Sequence, residues 1–93
     1  MSNKTVKFNQ RGAERLPNDK PVVYKIQTES GKTNYVGIAK RGRVQERIQE
    51  HLEAGKIPGV KVHIQQVSTI QKAEKTEARI ITRIQPKYNE EGK

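Results

Sequence analysis

The sequence contains no cysteine, no tryptophan, a single phenylalanine and no long apolar run. Without cysteine, neither a disulfide framework nor a zinc-thiolate site can form. Any bound metal ion must therefore be held by carboxylate, imidazole, carbonyl or water ligands. No stretch is long enough to span a bilayer, and the N-terminal residues lack the apolar segment of a signal peptide. We therefore expect a cytoplasmic protein that does not enter membranes.

Acidic residues are also scarce compared with basic ones. Nineteen Lys and Arg residues stand against ten Asp and Glu residues, which gives a formal net charge of +9 in 93 residues. Such an excess of positive charge attracts polyanions, so nucleic acid is the first partner expected. A basic protein of membrane surfaces would also carry a helix with Trp, Phe or Leu along one face, and this sequence has none.

Local patterns predict a small α+β domain with a three-stranded antiparallel sheet flanked by helices, in the order β-β-α-β-α. The strands are predicted around residues 22–26, 34–38 and 60–65, where β-branched, aromatic and alternating apolar residues occur. The helices are predicted to end at Gly55 and just before Pro86. This domain covers residues 21–89. Residues 1–20 are predicted to form a basic N-terminal arm and residues 90–93 a C-terminal tail.

The last predicted helix carries a carboxylate within its apolar stripe. Apolar residues recur along one face at spacings of three and four, and Glu77 occupies the stripe position between Ala73 and Ile80. An ionised carboxylate buried without a partner would be strongly unfavourable, so Glu77 needs a cation or a metal ion nearby. The alternative is that Glu77 lies at the edge of the stripe and pairs with a Lys or Arg side chain.

Four further side chains are candidates for a common site. Arg47 and His51 lie one helical turn apart and project from the same side of the first long helix. Tyr24 and Tyr35 lie on strands predicted to pair, so their hydroxyls can meet if both rings face the same side. A solvated helix face would also explain the first pair, and a half-buried strand would explain each tyrosine.

Read in chain order, these residues resemble the signature of the GIY-YIG nuclease family. Residues 22–24 (Val-Val-Tyr) are similar to its first tripeptide and residues 35–37 (Tyr-Val-Gly) to its second. The family also has a basic position, an Arg/His segment, a Glu and a terminal Asn. Their counterparts here are, in that order, Lys40, residues 47–51, Glu77 and residues 86–89. The resemblance departs from the family at the first tripeptide, where Val replaces Gly and Ile, and at Ile38, where many members have Lys or Gln.

The resemblance implies a metal-dependent endonuclease that hydrolyses phosphodiester bonds of nucleic acid, with DNA favoured over RNA. Glu77 would hold one Mg²⁺ or Mn²⁺ ion, Arg47 would bind the scissile phosphate, and Tyr24 would act as general base. Nearby cations would make the Tyr24 phenol more acidic. Tyr35 would orient the water or the phosphate, and His51 would share proton transfer or bind phosphate. The remaining expected site residues are Asn89 as an organiser of the catalytic set, Gly37 as a point of close approach for backbone or substrate, and Lys40, Arg41 and Arg43 as nucleic-acid contacts.

Two other functions agree with the same sequence. One is a catalytically silent nucleic-acid-binding module that keeps the fold and the charge. The other is a small basic protein that binds an acidic partner or a ribosome and needs no metal ion. If the chain is a nuclease, we expect weak sequence preference, selection of substrate structure or recruitment by a protein partner. Binding should weaken steeply with salt, because phosphate contacts dominate it.

Overall fold

The computed structural model describes residues 3 to 91, which form a small α+β domain around one four-stranded antiparallel sheet. The strand order across the sheet is β1-β4-β2-β3, so β1 and β3 are the two edges. None of the helices in residues 3 to 91 has the length and apolar character needed to cross a membrane. The elements are β1 (Asn3–Lys7), α1 (Gln10–Glu14), β2 (Val22–Gln27), β3 (Thr33–Ala39), α2 (Val44–Ala54), β4 (Lys61–Gln66), α3 (Ile70–Ile84) and α4 (Lys87–Glu91).

The prediction of a three-stranded sheet preceded by an arm was wrong. Residues 3 to 16 belong to the fold, since β1 pairs with β4 in a register that puts Val6 opposite Val62. Ala13 and Leu16 are also buried, at 0% and 1% exposure. These apolar residues are isolated among polar neighbours and give no local periodicity, and their partners are distant in the chain. Residues 1, 2, 92 and 93, which belong to the predicted arm and tail, lie outside the described residues.

The core is divided between the two faces of the sheet. Alternate residues of β2 point to opposite faces, because successive side chains of a strand alternate. Tyr24 packs with Ile48 of α2 on one face. Val23 packs with Ala73 of α3 on the other. The helices α2 and α3 therefore lie on opposite faces, and a site that uses both must form around an edge of the sheet.

The two long helices end where the sequence predicted, at Gly55 and just before Pro86, and side-chain hydrogen bonds mark their first turns. The Thr69 hydroxyl accepts a hydrogen bond from the Lys72 amide at 3.2 Å at the start of α3. Gly55 ends α2 in the left-handed region with φ of 62°. At the start of α2, the Asn18 side chain accepts a hydrogen bond from the Gln45 amide at 3.1 Å. This contact ties α2 to the loop before β2.

Candidate active site

Tyr24 reaches the site from β2 by passing over the neighbouring edge strand. It lies directly opposite Gly37 in the β2–β3 register. A Cβ atom placed on Gly37 would lie 2.5 Å from both the Cζ atom and the hydroxyl oxygen of Tyr24. Only glycine therefore leaves room for the phenol to cross β3. The sequence predicted a close approach at Gly37 to backbone or substrate, whereas the group that approaches is the Tyr24 side chain.

We expect Gly37→Ala to displace the Tyr24 phenol and to destabilise the fold. A methyl group at position 37 would overlap the ring, and overpacking of this kind costs about 1–3 kcal/mol of unfolding free energy. Urea unfolding of Gly37→Ala, Tyr24→Ala and the double variant measures the effect. Because Tyr24→Ala removes the overlapping atoms, the double variant should be more stable than the sum of the single losses implies. Strictly additive losses would contradict this account of Gly37.

The three rings of Tyr24, Tyr35 and His51 form one cluster on the α2 side of the sheet. The Tyr24 hydroxyl lies 2.7 Å from Nε2 of His51. The Tyr35 and His51 ring centroids are 4.9 Å apart, and those of the two tyrosines are 6.1 Å apart. Both phenols thus face the same side, as the site requires. His51 joins them from α2.

Burial controls the protonation of this cluster. Loss of hydration raises the pKa of Tyr24, and Tyr35 raises it further, while the Arg47 guanidinium lowers it through its charge and as a hydrogen-bond donor. Arg47 acts in the expected direction, but desolvation outweighs it, so the phenol is less acidic than an ordinary tyrosine and not more acidic. Burial also lowers the pKa of His51, and Arg47 adds to the effect. A neutral imidazole therefore faces a protonated phenol across the 2.7 Å contact between the Tyr24 hydroxyl and Nε2 of His51.

Arg47 connects the ring cluster to a surface pocket. Its Nη1 atom lies 3.4 Å from Oε1 of Glu50, and its guanidinium acts on the Tyr24 hydroxyl. The pocket has a volume of about 260 Å³, and Lys40 and Arg43 line it together with Arg47. Arg41 is exposed and is not among its lining residues. The remaining lining residues are Ile38, Ala39, Ile70 and Glu74.

Glu77 reaches the same region from the other face of the sheet. Its carboxyl is half-buried, and burial together with the negative charge of Glu74 raises its pKa. The charge of Glu77 also raises the pKa of Tyr24, so the carboxylate lies within electrostatic reach of the phenol. The alternative that Glu77 pairs with a Lys or Arg is not observed, since no ion pair within residues 3 to 91 includes it. Glu74 was not predicted as a site residue from the sequence, although its spacing of three from Glu77 was a usable signal.

The carboxylates Glu74 and Glu77 fit a divalent ion that keeps most of its water. Within the described part of the chain, no three His, Cys, Asp or Glu side chains are grouped closely enough to hold a metal ion. Magnesium commonly binds through one or two carboxylates and retains several waters, so a larger protein cage is not needed. A cation would also relieve the two effects that raise the Glu77 pKa, which are lost hydration and repulsion from Glu74.

Asn89 holds the edge strand that carries Tyr35 and Gly37. Its Nδ2 atom donates to the Val36 carbonyl at 2.8 Å, and its Oδ1 atom accepts from the Val36 amide at 2.8 Å. The Asn89 side chain thus satisfies the two backbone groups of Val36 that a further strand would otherwise pair at this edge of the sheet. Both polar atoms of Asn89 are engaged there, so the residue positions the site through the backbone of β3.

We expect Asn89→Ala to lower the unfolding free energy by about 1–3 kcal/mol, because it leaves two backbone groups of the half-buried edge without partners. Chemical denaturation measures the change. The matched control is Gln71→Ala, which removes an amide of similar size from an exposed position of α3. Equal stability of the two variants would show that the contacts with Val36 contribute nothing.

The structure gathers most of the residues that the sequence proposed. Tyr24, Tyr35, His51 and Arg47 meet on one side of β3, and Glu77 lies within electrostatic reach. No protein family, curated protein or solved structure gives a significant match to this chain. Its function is therefore inferred from the chemistry of these side chains.

Proposed function

We propose that the protein is a divalent-metal-dependent endonuclease of the GIY-YIG type, which hydrolyses phosphodiester bonds of nucleic acid, with DNA favoured over RNA. One observation carries the proposal. A phenol hydrogen-bonded to a neutral imidazole lies beside a guanidinium and within electrostatic reach of a carboxylate that has no cation partner among residues 3 to 91. These groups supply the proton acceptor, the phosphate ligand and the metal ligand that such hydrolysis needs.

Proton transfer would pass from the attacking water through Tyr24 to His51. Nε2 of His51 lies 2.7 Å from the Tyr24 hydroxyl, and the neutral imidazole would accept the hydrogen bond of that hydroxyl in the tautomer that carries its proton on Nδ1. The phenol can therefore take a proton from water as it releases its own proton to the imidazole. This route explains how Tyr24 acts as a base even though burial raises its pKa. Tyr35, whose ring lies against His51, would orient the water or the phosphate.

Phosphate would be held by the cationic wall of the pocket. Arg47 lies between the Tyr24 hydroxyl and the pocket, and its planar guanidinium matches the geometry of a phosphate. Lys40 and Arg43 of the same pocket would contact neighbouring phosphates. Glu77, assisted by Glu74, would hold Mg²⁺ or Mn²⁺. When bound, that ion supplies Lewis-acid stabilisation of the departing 3′-oxygen.

The purified protein should convert supercoiled plasmid to nicked or linear forms when Mg²⁺ or Mn²⁺ is present, and chelation should stop the reaction. Labelled RNA incubated in parallel measures the preference for DNA. Failure to cleave either polymer with either metal, in a preparation that binds both, would contradict the proposal. It would instead identify a catalytically silent nucleic-acid-binding module.

The proton path predicts that His51 is uncharged at neutral pH. The chain has two histidines, so ring signals in an NMR titration are readily assigned with a His63→Gln variant. Both midpoints should lie below the ordinary value of 6.5, because burial lowers both pKa values, with added effects of Arg47 on His51 and of Lys25 on His63. Arg47→Ala should raise the midpoint of His51 alone, and Lys25→Ala that of His63 alone.

The lowered pKa of His51 also determines how cleavage and folding stability depend on pH. A lowered pKa means that the folded state binds fewer protons than the unfolded state once the pH falls below 6.5. Cleavage and folding stability should therefore be fully retained at pH 7, and both should decline as the pH falls below 6.5. A His51 midpoint above pH 7 would leave the imidazole mostly protonated at neutral pH and would exclude it as the proton acceptor.

A further inference from the structure

The helix α3 separates its charges onto two sides. Glu74 and Glu77 belong to the candidate active site, whereas the cations recur at spacings of three and four along the side that faces β4. We call the four cations Lys72, Lys75, Arg79 and Arg83 the α3 stripe. With Gln65 and Val67 they line a groove of about 480 Å³. All four are exposed, and no ion pair within residues 3 to 91 includes any of them.

The uncovered part of the same sheet face continues this positive surface. Lys25 lies on the face of β2 that carries Val23, which packs under α3. On the same face, Lys7 of β1 lies directly opposite Lys61 of β4. Two like charges in these positions are unfavourable without a counterion. The sequences of β1, β2 and β4 contain no Asp or Glu. We call the α3 stripe together with Lys7, Lys25 and Lys61 the far-face surface.

We infer that the far-face surface binds the phosphate backbone of nucleic acid, separately from the pocket beside Arg47. Lys72 and Arg83, the ends of the α3 stripe, are eleven positions apart, which is about 16 Å of helix. One strand of a duplex presents about five phosphates over that length. An anionic membrane would require a row of large apolar side chains beside the cations. Ile84, at 44% exposure, is the large exposed apolar residue of α3 among the described residues.

This surface lies on the opposite face of the sheet from the ring cluster of Tyr24 and His51. The groove of the α3 stripe and the pocket beside Arg47 have no lining residue in common, and α3 contributes different residues to each. The far-face surface would therefore engage phosphates other than those held in the pocket. Nucleic acid bound there is a second segment, either of the same branched or bent molecule or of another one. The inference holds whether or not the chain cleaves its ligand.

The test compares Lys72→Ala/Lys75→Ala with the matched control Lys32→Ala/Lys56→Ala. Both variants lose two exposed lysines and have the same net charge, and the control positions lie in loops outside both surfaces. Binding of a four-way DNA junction is measured by fluorescence anisotropy over a range of salt. The stripe variant should weaken binding about 10-fold and flatten the slope of log K against log salt by roughly two, because each lost phosphate contact removes about one.

The control variant should change that slope by less than one. Equal changes in both variants would overturn the inference, since net charge alone would then explain binding. Alanine is a good helix former, so α3 should persist in the stripe variant, and circular dichroism verifies this. Anionic vesicles provide a second probe. If the stripe variant lost vesicle binding but kept the wild-type salt slope for DNA, the surface would be a membrane site and the inference would be wrong.

The same variants separate this inference from the proposed nuclease activity. The stripe variant should cleave a short oligonucleotide at saturating concentration as the wild type does, because Arg47 and Glu77 are unchanged. Glu77→Ala should keep the wild-type salt slope for the junction. Loss of oligonucleotide cleavage in a folded stripe variant would show that α3 cations act in the pocket, and it would overturn the assignment of a separate surface.

Discussion

Replacing Glu77 with alanine should abolish cleavage while largely preserving DNA binding. The carboxylate would hold the metal ion, and removal of that ion withdraws several kcal/mol of transition-state stabilisation, or about three orders of magnitude in rate. Nicking of supercoiled plasmid under saturating metal measures the rate, and anisotropy measures binding. Wild-type-like cleavage by Glu77→Ala would remove this residue from the mechanism.

The unfolding free energy of Glu77→Ala distinguishes this catalytic role from a structural one, because a structural role predicts a loss of stability. The carboxyl is half-buried, repelled by Glu74 and without a cation partner among residues 3 to 91, so its removal should leave the unfolding free energy unchanged or raise it. Glu53→Ala, which removes an exposed carboxylate from α2, is the matched control for both measurements. A marked loss of stability in Glu77→Ala alone would indicate that the carboxylate serves the fold.

Replacing Tyr24 with phenylalanine should lower the cleavage rate by roughly 10²- to 10⁴-fold, the usual contribution of a general base. The ring would keep its place over Gly37, so the fold should persist. Loss of the hydrogen bond to His51 should cost about 1 kcal/mol of unfolding free energy. Single-turnover cleavage at saturating metal measures the rate, and urea unfolding measures the stability.

The matched control is Tyr88→Phe, which removes a phenol oxygen from the half-buried Tyr88 of α4, outside the ring cluster. It should cleave at the wild-type rate. If Tyr24→Phe also retained full activity, the attacking water would not lose its proton to this phenol. His51 would then be tested as the direct base by His51→Gln.

Protonation illustrates why the chemistry of the site required the folded structure. The sequence placed Arg47 near Tyr24 and suggested a more acidic phenol, yet burial raises the pKa of Tyr24. Desolvation depends on how many atoms from different elements surround the hydroxyl, and no local pattern reports that number. The same reason explains why the role of His51 was left open until its lowered pKa and its contact with Tyr24 were known.

Contacts between distant segments were also beyond local prediction. Pairing of β1 with β4 joins residues about sixty positions apart, and Val6 alone gave too weak a signal. The hydrogen bonds between Asn89 and Val36 join the end of the chain to an edge strand. Gly37 was noticed as a signature glycine, but its reason, the crossing Tyr24 ring, depends on the β2–β3 register.

The sequence by itself determined the features that depend on neighbours within a few residues. These are the β2–β3 hairpin, the ending of α2 at Gly55, the ending of α3 just before Pro86 and the position of Glu77 in an apolar stripe. The tertiary structure alone decided which faces meet, because side-chain burial and electrostatic coupling arise from residues far apart in the chain. It brought Glu77 from one face of the sheet and His51 from the other into electrostatic reach of Tyr24, and it left the cations of α3 together on the side of that helix that faces β4.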